Sequence, residues 1–153
     1  MLWILLAAAI CAVDLGIKHY IDTHKEENCY EPAVGGRIII TRFHNPGAML
    51  GWMKKKPKML MGITLLGIGV LAGGLMGALY NKKRSPLIQM GLALLLGGAA
   101  SNAYDRIIKK EVTDYFRISI GSEWLEKMIF NLGDMAIFLG GILTVLGEIR
   151  ETF

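Results

Sequence analysis

Three aspartates near the ends of apolar runs, Asp105, Asp114 and Asp134, carry the chemistry that this sequence offers. Two amides, Asn102 and Asn131, stand three residues before Asp105 and Asp134. Residues three apart share a helix face, so each amide points the same way as its carboxylate. Two carboxylates held close cannot both ionise cheaply, and one keeps a proton at neutral pH. The ionised member can take a proton from water while the neutral member donates to a carbonyl oxygen. Such a pair hydrolyses an amide without a metal or a nucleophilic side chain. Local bases sort the aspartates: Arg106 adjoins Asp105, and Lys18 follows Asp14 by four residues. Asp105 and Asp14 therefore read as structural ion pairs, leaving Asp114 and Asp134 as the free pair.

The elements that must position these groups are apolar. Of the 153 residues 53% are hydrophobic, and mean hydropathy is +0.42, beyond an ordinary soluble domain. Four segments, roughly 2–21, 59–80, 87–104 and 128–149, each approach the ~20 residues a bilayer-spanning helix needs. The first resembles the apolar core of a signal peptide but lacks a basic leader and a sharp cleavage site, so it reads as a retained helix. The glycines concentrate in the apolar runs, without a fixed period, as expected where helices pack closely in lipid. The chain reads as one membrane-embedded domain over 1–153, a monomer that meets lipid and not nucleic acid. Its basic runs, "KKKPK" and "NKKRSP", abut apolar segments and suit anionic headgroups.

The basic "NKKRSP" loop belongs in the cytoplasm by the positive-inside rule. Both termini then lie inside, with 22–58 and 105–127 outside. That arrangement puts Lys54, Lys55, Lys56 and Lys58 on the outer side, against the same rule. "GRIIITRFHN" (36–45) and "VTDYFRISI" (112–120) read as strands of a small extracytoplasmic sheet, each followed by turn residues. The end of the third helix and the start of the fourth share the outer face, so the carboxylates and amides meet there.

Other chemistries find little support. Ser85, Ser101 and Ser119 lie in no Gly-x-Ser-x-Gly turn. Lys109 and Lys110 read as a solvated or headgroup-facing pair. Cys11 and Cys29, with the scattered His19, His24 and His44, make no zinc spacing, so neither metal nor cofactor is expected. A small proton-coupled transporter or a membrane scaffold would also hold intramembrane carboxylates. It would not gather them at one end, and the second apolar segment offers no polar group to a transport path.

The ordered motifs resemble a known family, signal peptidase II, the bacterial lipoprotein signal peptidase. "VDLGIKHYI" is similar to its D-x-x-x-K element and "FHNPGAMLG" to its N-x-G-A-x-x-G element. "GGAASNAYDRI", "VTDYF" and "FNLGDMAIFLGG" are similar to G-N-x-x-D-R, V-x-D-F and F-N-x-A-D. The resemblance implies an aspartic intramembrane peptidase of the bacterial cytoplasmic membrane, with four helices and an external β-structure. It implies cleavage of prolipoprotein signal peptides before a lipid-modified cysteine. By that match Asp114 and Asp134 are the catalytic dyad. Asn45, Asn102, Asp105, Arg106 and Asn131 line or organise the pocket, and Asp14 and Lys18 tie the first helix into the fold. Leu15, Ser101 and Gly133 depart from the family pattern, at places where it has Gln, Gly and Ala.

Overall fold

The computed structural model describes residues 1–47, 53–81 and 84–153. Residues 48–52, which belong to the N-x-G-A-x-x-G element, and Lys82 and Lys83 of the basic loop lie outside the described residues. Four helices are long and apolar enough to cross a membrane: α1 (Leu2–His24), α2 (Pro57–Tyr80), α3 (Pro86–Ile108) and α5 (Leu132–Thr152). They hold 21 to 24 residues each, which at 1.5 Å per residue spans the ~30 Å hydrocarbon core. The expected α-helical membrane fold with four spans and a small sheet is the fold observed. Large apolar side chains such as Leu66, Val70, Phe138 and Val145 are exposed on the helix surfaces, as a lipid-facing surface requires.

Helix α3 is the hub. It packs on α1, α2 and α5, and glycines set how closely. A methyl group at Gly97 would come within 2.6 Å of the Ala7 carbonyl oxygen of α1. One at Gly91 would come within 2.7 Å of the Thr144 nitrogen of α5, and one at Gly98 would overlap the Gly133 carbonyl oxygen. Only small residues let backbones approach so closely in lipid. Ala7, Leu75 and Ala93 form the apolar core between α1, α2 and α3. At one end of the bundle, Arg84 before α3 reaches Glu148 at 2.9 Å and Glu151 at 2.8 Å near the end of α5.

At the opposite end lies an antiparallel sheet, β1 (Glu31–Ala33), β2 (Ile38–Asn45) and β3 (Val112–Ile118), in that order. The two expected strands are β2 and β3, and β1 is an added edge strand. The β2–β3 register runs Ile38↔Ile118 to Ile40↔Phe116, then resumes at Phe43↔Asp114. Thr41 and Arg42 thus oppose the single residue Tyr115, a β-bulge. Arg42 there donates to the Asp22 carbonyl of α1 at 2.9 Å and to the Lys25 carbonyl just past its end at 2.6 Å.

Helix α5 begins at Leu132, not at residue 128 as its apolar run suggested. Phe130 is held extended beside β3: its N–H donates to the Phe116 carbonyl at 2.7 Å, and its carbonyl accepts from Tyr115 and Phe116. Asn131 then caps the helix. Its side chain accepts from the Asp134 N–H at 2.8 Å, and the Asp134 carboxylate accepts from the Asn131 N–H at 3.2 Å. This reciprocal cap satisfies two donors that a helix N-terminus otherwise leaves open. A short helix α4 (Glu123–Glu126) precedes this segment.

Candidate active site

Asp114 and Asp134 reach one cavity of about 730 Å³ from different elements. Asp114 comes from β3, and Asp134 from the first turn of α5. Four amide groups hold their oxygens. Asn45 donates to Asp114 Oδ2 at 3.0 Å and Asn131 Nδ2 to Asp114 Oδ1 at 2.7 Å. Asn102 donates to Asp134 Oδ1 at 2.8 Å, and the Asn131 main chain takes Oδ2. Asn131 is therefore common to both carboxylates. The sequence placed Asn131 on a helix face with Asp134; the structure makes it the cap, which frees its amide for Asp114.

Burial raises the Asp114 carboxyl from 3.8 to about 7, and the Asp134 charge adds to the rise against the amides of Asn45 and Asn131. One carboxylate of the two is thus easily kept neutral. Arg106 also lines the cavity, donating to the Gly47 carbonyl at 3.3 Å. Met135, Ile137 and Phe138 of α5 supply an apolar wall, and Phe138 is exposed on the lipid-facing side. Asn45, Asn102, Arg106, Asp114 and Asp134 thus share the cavity, while Asn131 is fully buried behind it. Among the described residues, no three His, Cys, Asp or Glu side chains are grouped to hold a metal ion.

The chain matches the family described as signal peptidase (SPase) II over residues 6–150. It belongs to that family. The lipoprotein signal peptidase of Moorella thermoacetica is 36% identical over 144 residues, covering 94% of this chain and 89% of the relative. That of Geobacillus thermodenitrificans is 30% identical, covering 94% and 86%. A bacterial membrane enzyme solved by the in meso method at 2.3 Å superposes with a TM-score of 0.84 at 25% identity, over 98% of this chain and 88% of the other. Family membership makes the chain a peptide hydrolase.

Behind the cavity runs a ladder of alternating charge, buried at Asp14, Lys18 and Asp105 and half-buried at Lys109 and Asp22. Lys18 lies 2.8 Å from Asp14 and 3.3 Å from Asp105, all three side chains fully buried. Lys109 lies 2.9 Å from Asp105 and 2.7 Å from Asp22. The expected Asp14–Lys18 pair is present, and it does join α1 to α3. The expected Asp105–Arg106 pair is not: consecutive helix residues point about 100° apart, so Asp105 faces inward and Arg106 faces the cavity. Asp105 accordingly lies behind the cavity wall, accepting the Thr113 N–H at 3.2 Å and holding the start of β3. Lys109, expected on a solvated face, is the partner of Asp105. Its i,i+4 spacing from Asp105, the same as Lys18 from Asp14, was the available signal.

Lys18 reaches the site through one amide. It donates to Asn102 Oδ1 at 2.8 Å, which turns Asn102 Nδ2 toward Asp134. Two departures from the family pattern meet at Asp14. Ser101 donates to Asp14 Oδ2 at 2.5 Å, and a methyl group at Gly133 would come within 2.9 Å of that oxygen. Sequence reasoning missed Tyr115, whose hydroxyl donates to Asp14 Oδ1 at 2.9 Å and accepts from the Leu132 N–H at 2.8 Å.

Proposed function

We propose that this peptidase removes signal peptides from lipid-modified prolipoproteins, cutting before the lipid-carrying cysteine, with Asp114 and Asp134 as its catalytic pair. The observation that carries this reading is the shared cavity: two carboxylates from separate elements, each held by amides, beside an apolar wall. Relatives named lipoprotein signal peptidase support the substrate class.

The ionised aspartate takes a proton from water as the water oxygen attacks the scissile carbonyl carbon. The neutral aspartate gives its proton to the carbonyl oxygen, so a neutral diol forms without a free oxyanion. Collapse of the diol breaks the C–N bond, the leaving nitrogen takes a proton, and the pair returns to one shared proton. Asn45, Asn102 and Asn131 keep the carboxylates oriented, and Arg106 has donors free to hold a substrate carbonyl. Asp105, Asp14 and Lys18 act behind them as a buried scaffold. The apolar wall from Met135 to Phe138 suits lipid chains entering from the bilayer.

The site end of the bundle faces outward from the bacterial cytoplasmic membrane, the termini face the cytoplasm, and the chain works as a monomer. The Arg84–Glu148 end, which carries the basic loop, supports that orientation. No observation favours a transporter, since the polar groups gather at one end.

The test is cleavage of a lipidated prolipoprotein by the purified protein in detergent or vesicles. Release of the signal peptide from the lipidated form, and not from the unlipidated one, is expected. Equal cleavage of both would remove the lipid from the reading, and no cleavage of either would sink it.

A further inference from the structure

Tyr115 follows Asp114 on β3, and strand alternation turns its side chain away from the cavity. It is 6% exposed, and its hydroxyl spans two helices, giving a hydrogen bond to Asp14 of α1 and taking one from the first N–H of α5. That N–H belongs to the Asn131–Leu132 peptide. The same peptide carries the Asn131 amide that holds Asp114, and it starts the helical turn that presents Asp134. A movement of this peptide would carry the turn that bears Asp134 and shift the Asn131 amide that holds Asp114. Burial, with the Asp14 charge, pushes the Tyr115 hydroxyl up, so it stays protonated and remains a donor to Asp14. The family element reads V-x-D-F here. This chain has Tyr115 at the Phe place, and its hydroxyl meets Asp14 as Ser101 does.

We propose that Tyr115 is a positioning residue for the aspartate pair: its hydroxyl, anchored by Asp14, sets the Asn131–Leu132 peptide that begins the turn bearing Asp134 and fixes the Asn131 amide that orients Asp114. The proposal rests on the reading of Asp114 and Asp134 as the catalytic pair.

Tyr115→Phe removes the hydroxyl and keeps the ring, leaving the Leu132 N–H and Asp14 Oδ1 without that partner. Ser101→Ala is the matched comparison, since it removes another donor to Asp14 and one acceptor of Lys18, which keeps Asp14, Asp105 and Asn102 as partners, and leaves the Leu132 N–H with its own acceptor. Both are measured for kcat, KM and thermal unfolding in detergent with a lipidated prolipoprotein. Tyr115→Phe should lower kcat about tenfold or more with KM within about twofold. Ser101→Ala should lose similar unfolding temperature yet keep kcat within about twofold. Equal effects of the two variants on kcat, or an unchanged kcat in Tyr115→Phe, would overturn the inference. Should Tyr115→Phe fail to fold, 3-fluorotyrosine at position 115 keeps the ring and hydroxyl but makes the oxygen a poorer acceptor. It should then lower kcat at an unchanged unfolding temperature, and wild-type kcat there would also overturn the inference. Asp114→Asn and Asp134→Asn separate the two ideas. If both remain active, the catalytic pair is wrong; if both are dead while Tyr115→Phe has full kcat, only the positioning role is.

Discussion

Asn131 grips Asp114 through its side-chain amide at 2.7 Å while its own backbone N–H holds Asp134 Oδ2 at 3.2 Å. One residue therefore caps a membrane helix and spaces two carboxylates. Asn131→Ala removes the cap acceptor and the Asp114 donor together. Loss of such a cap costs about 1 kcal/mol. Activity should fall much further, by about 100-fold, because Asp114 loses its orientation. Turnover and unfolding temperature measured on the same preparation check this, and a purely proportional loss of both would contradict it.

Asp114→Asn and Asp134→Asn should each abolish cleavage, by about 1,000-fold or more, with helical content retained in detergent. An amide cannot take a proton from water, and it cannot serve as the acid that protonates the carbonyl oxygen. Either variant turning over near the wild-type rate would sink the pair.

Asp105→Asn acts through the charge ladder and not through Arg106. Lys18 and Lys109 each lose a carboxylate, and Lys18 is fully buried. Removing one partner of a buried ion pair costs about 3 kcal/mol, somewhat less here because Lys18 keeps Asp14. A clear drop in unfolding temperature should accompany reduced activity. A variant as stable as wild type but inactive would assign Asp105 to the chemistry instead.

The Asp114 carboxyl, raised by burial to about 7 from 3.8, makes both stability and activity depend on pH. The folded state prefers the neutral form, so its contribution is complete below pH ~4 and is lost as pH rises through ~7. Wild type should lose unfolding temperature between those values, and Asp114→Asn should lose less. Cleavage should decline on the alkaline side near pH ~7, where the pair becomes doubly ionised, and again in acid, where both members are protonated. Parallel stability curves for wild type and Asp114→Asn would remove the buried-carboxyl argument.

Gly98→Ala tests the helix contact beneath the site. Its methyl group would overlap the Gly133 carbonyl, which is backbone and has little room to yield. Overpacking of this kind costs about 1–3 kcal/mol. Gly133→Ala, whose methyl group would meet Asp14 Oδ2 at 2.9 Å, Asn131 Oδ1 at 3.0 Å and the Gly98 carbonyl oxygen at 3.1 Å, should be milder because each of these approaches is longer than the overlap at Gly98. Unfolding temperatures in the reverse order would contradict the packing described.

By itself the sequence determined the four spans, because lipid requires long apolar runs, and the two main strands, because β-branched residues fit extended backbone. It also marked Asp114 and Asp134 and the amides beside them, through motifs whose order survives in one dimension. The partners of the buried charges were decided only by the tertiary structure. Sequence adjacency suggested Arg106 for Asp105, but helix geometry turns neighbours apart, and α1 supplies Lys18 from 87 positions away. Likewise the apolar run of the last helix concealed its start: Phe130 was claimed by β3, so Asn131 became a cap. Tyr115 looked like one more apolar strand residue, and its role exists only because Asp14 and the Leu132 N–H converge on its hydroxyl. Hydrophobicity and strand propensity act over a few neighbours and can be read locally. Ion pairing and hydrogen bonding in lipid depend on which helices meet, and α3, packed through its glycines, makes that choice.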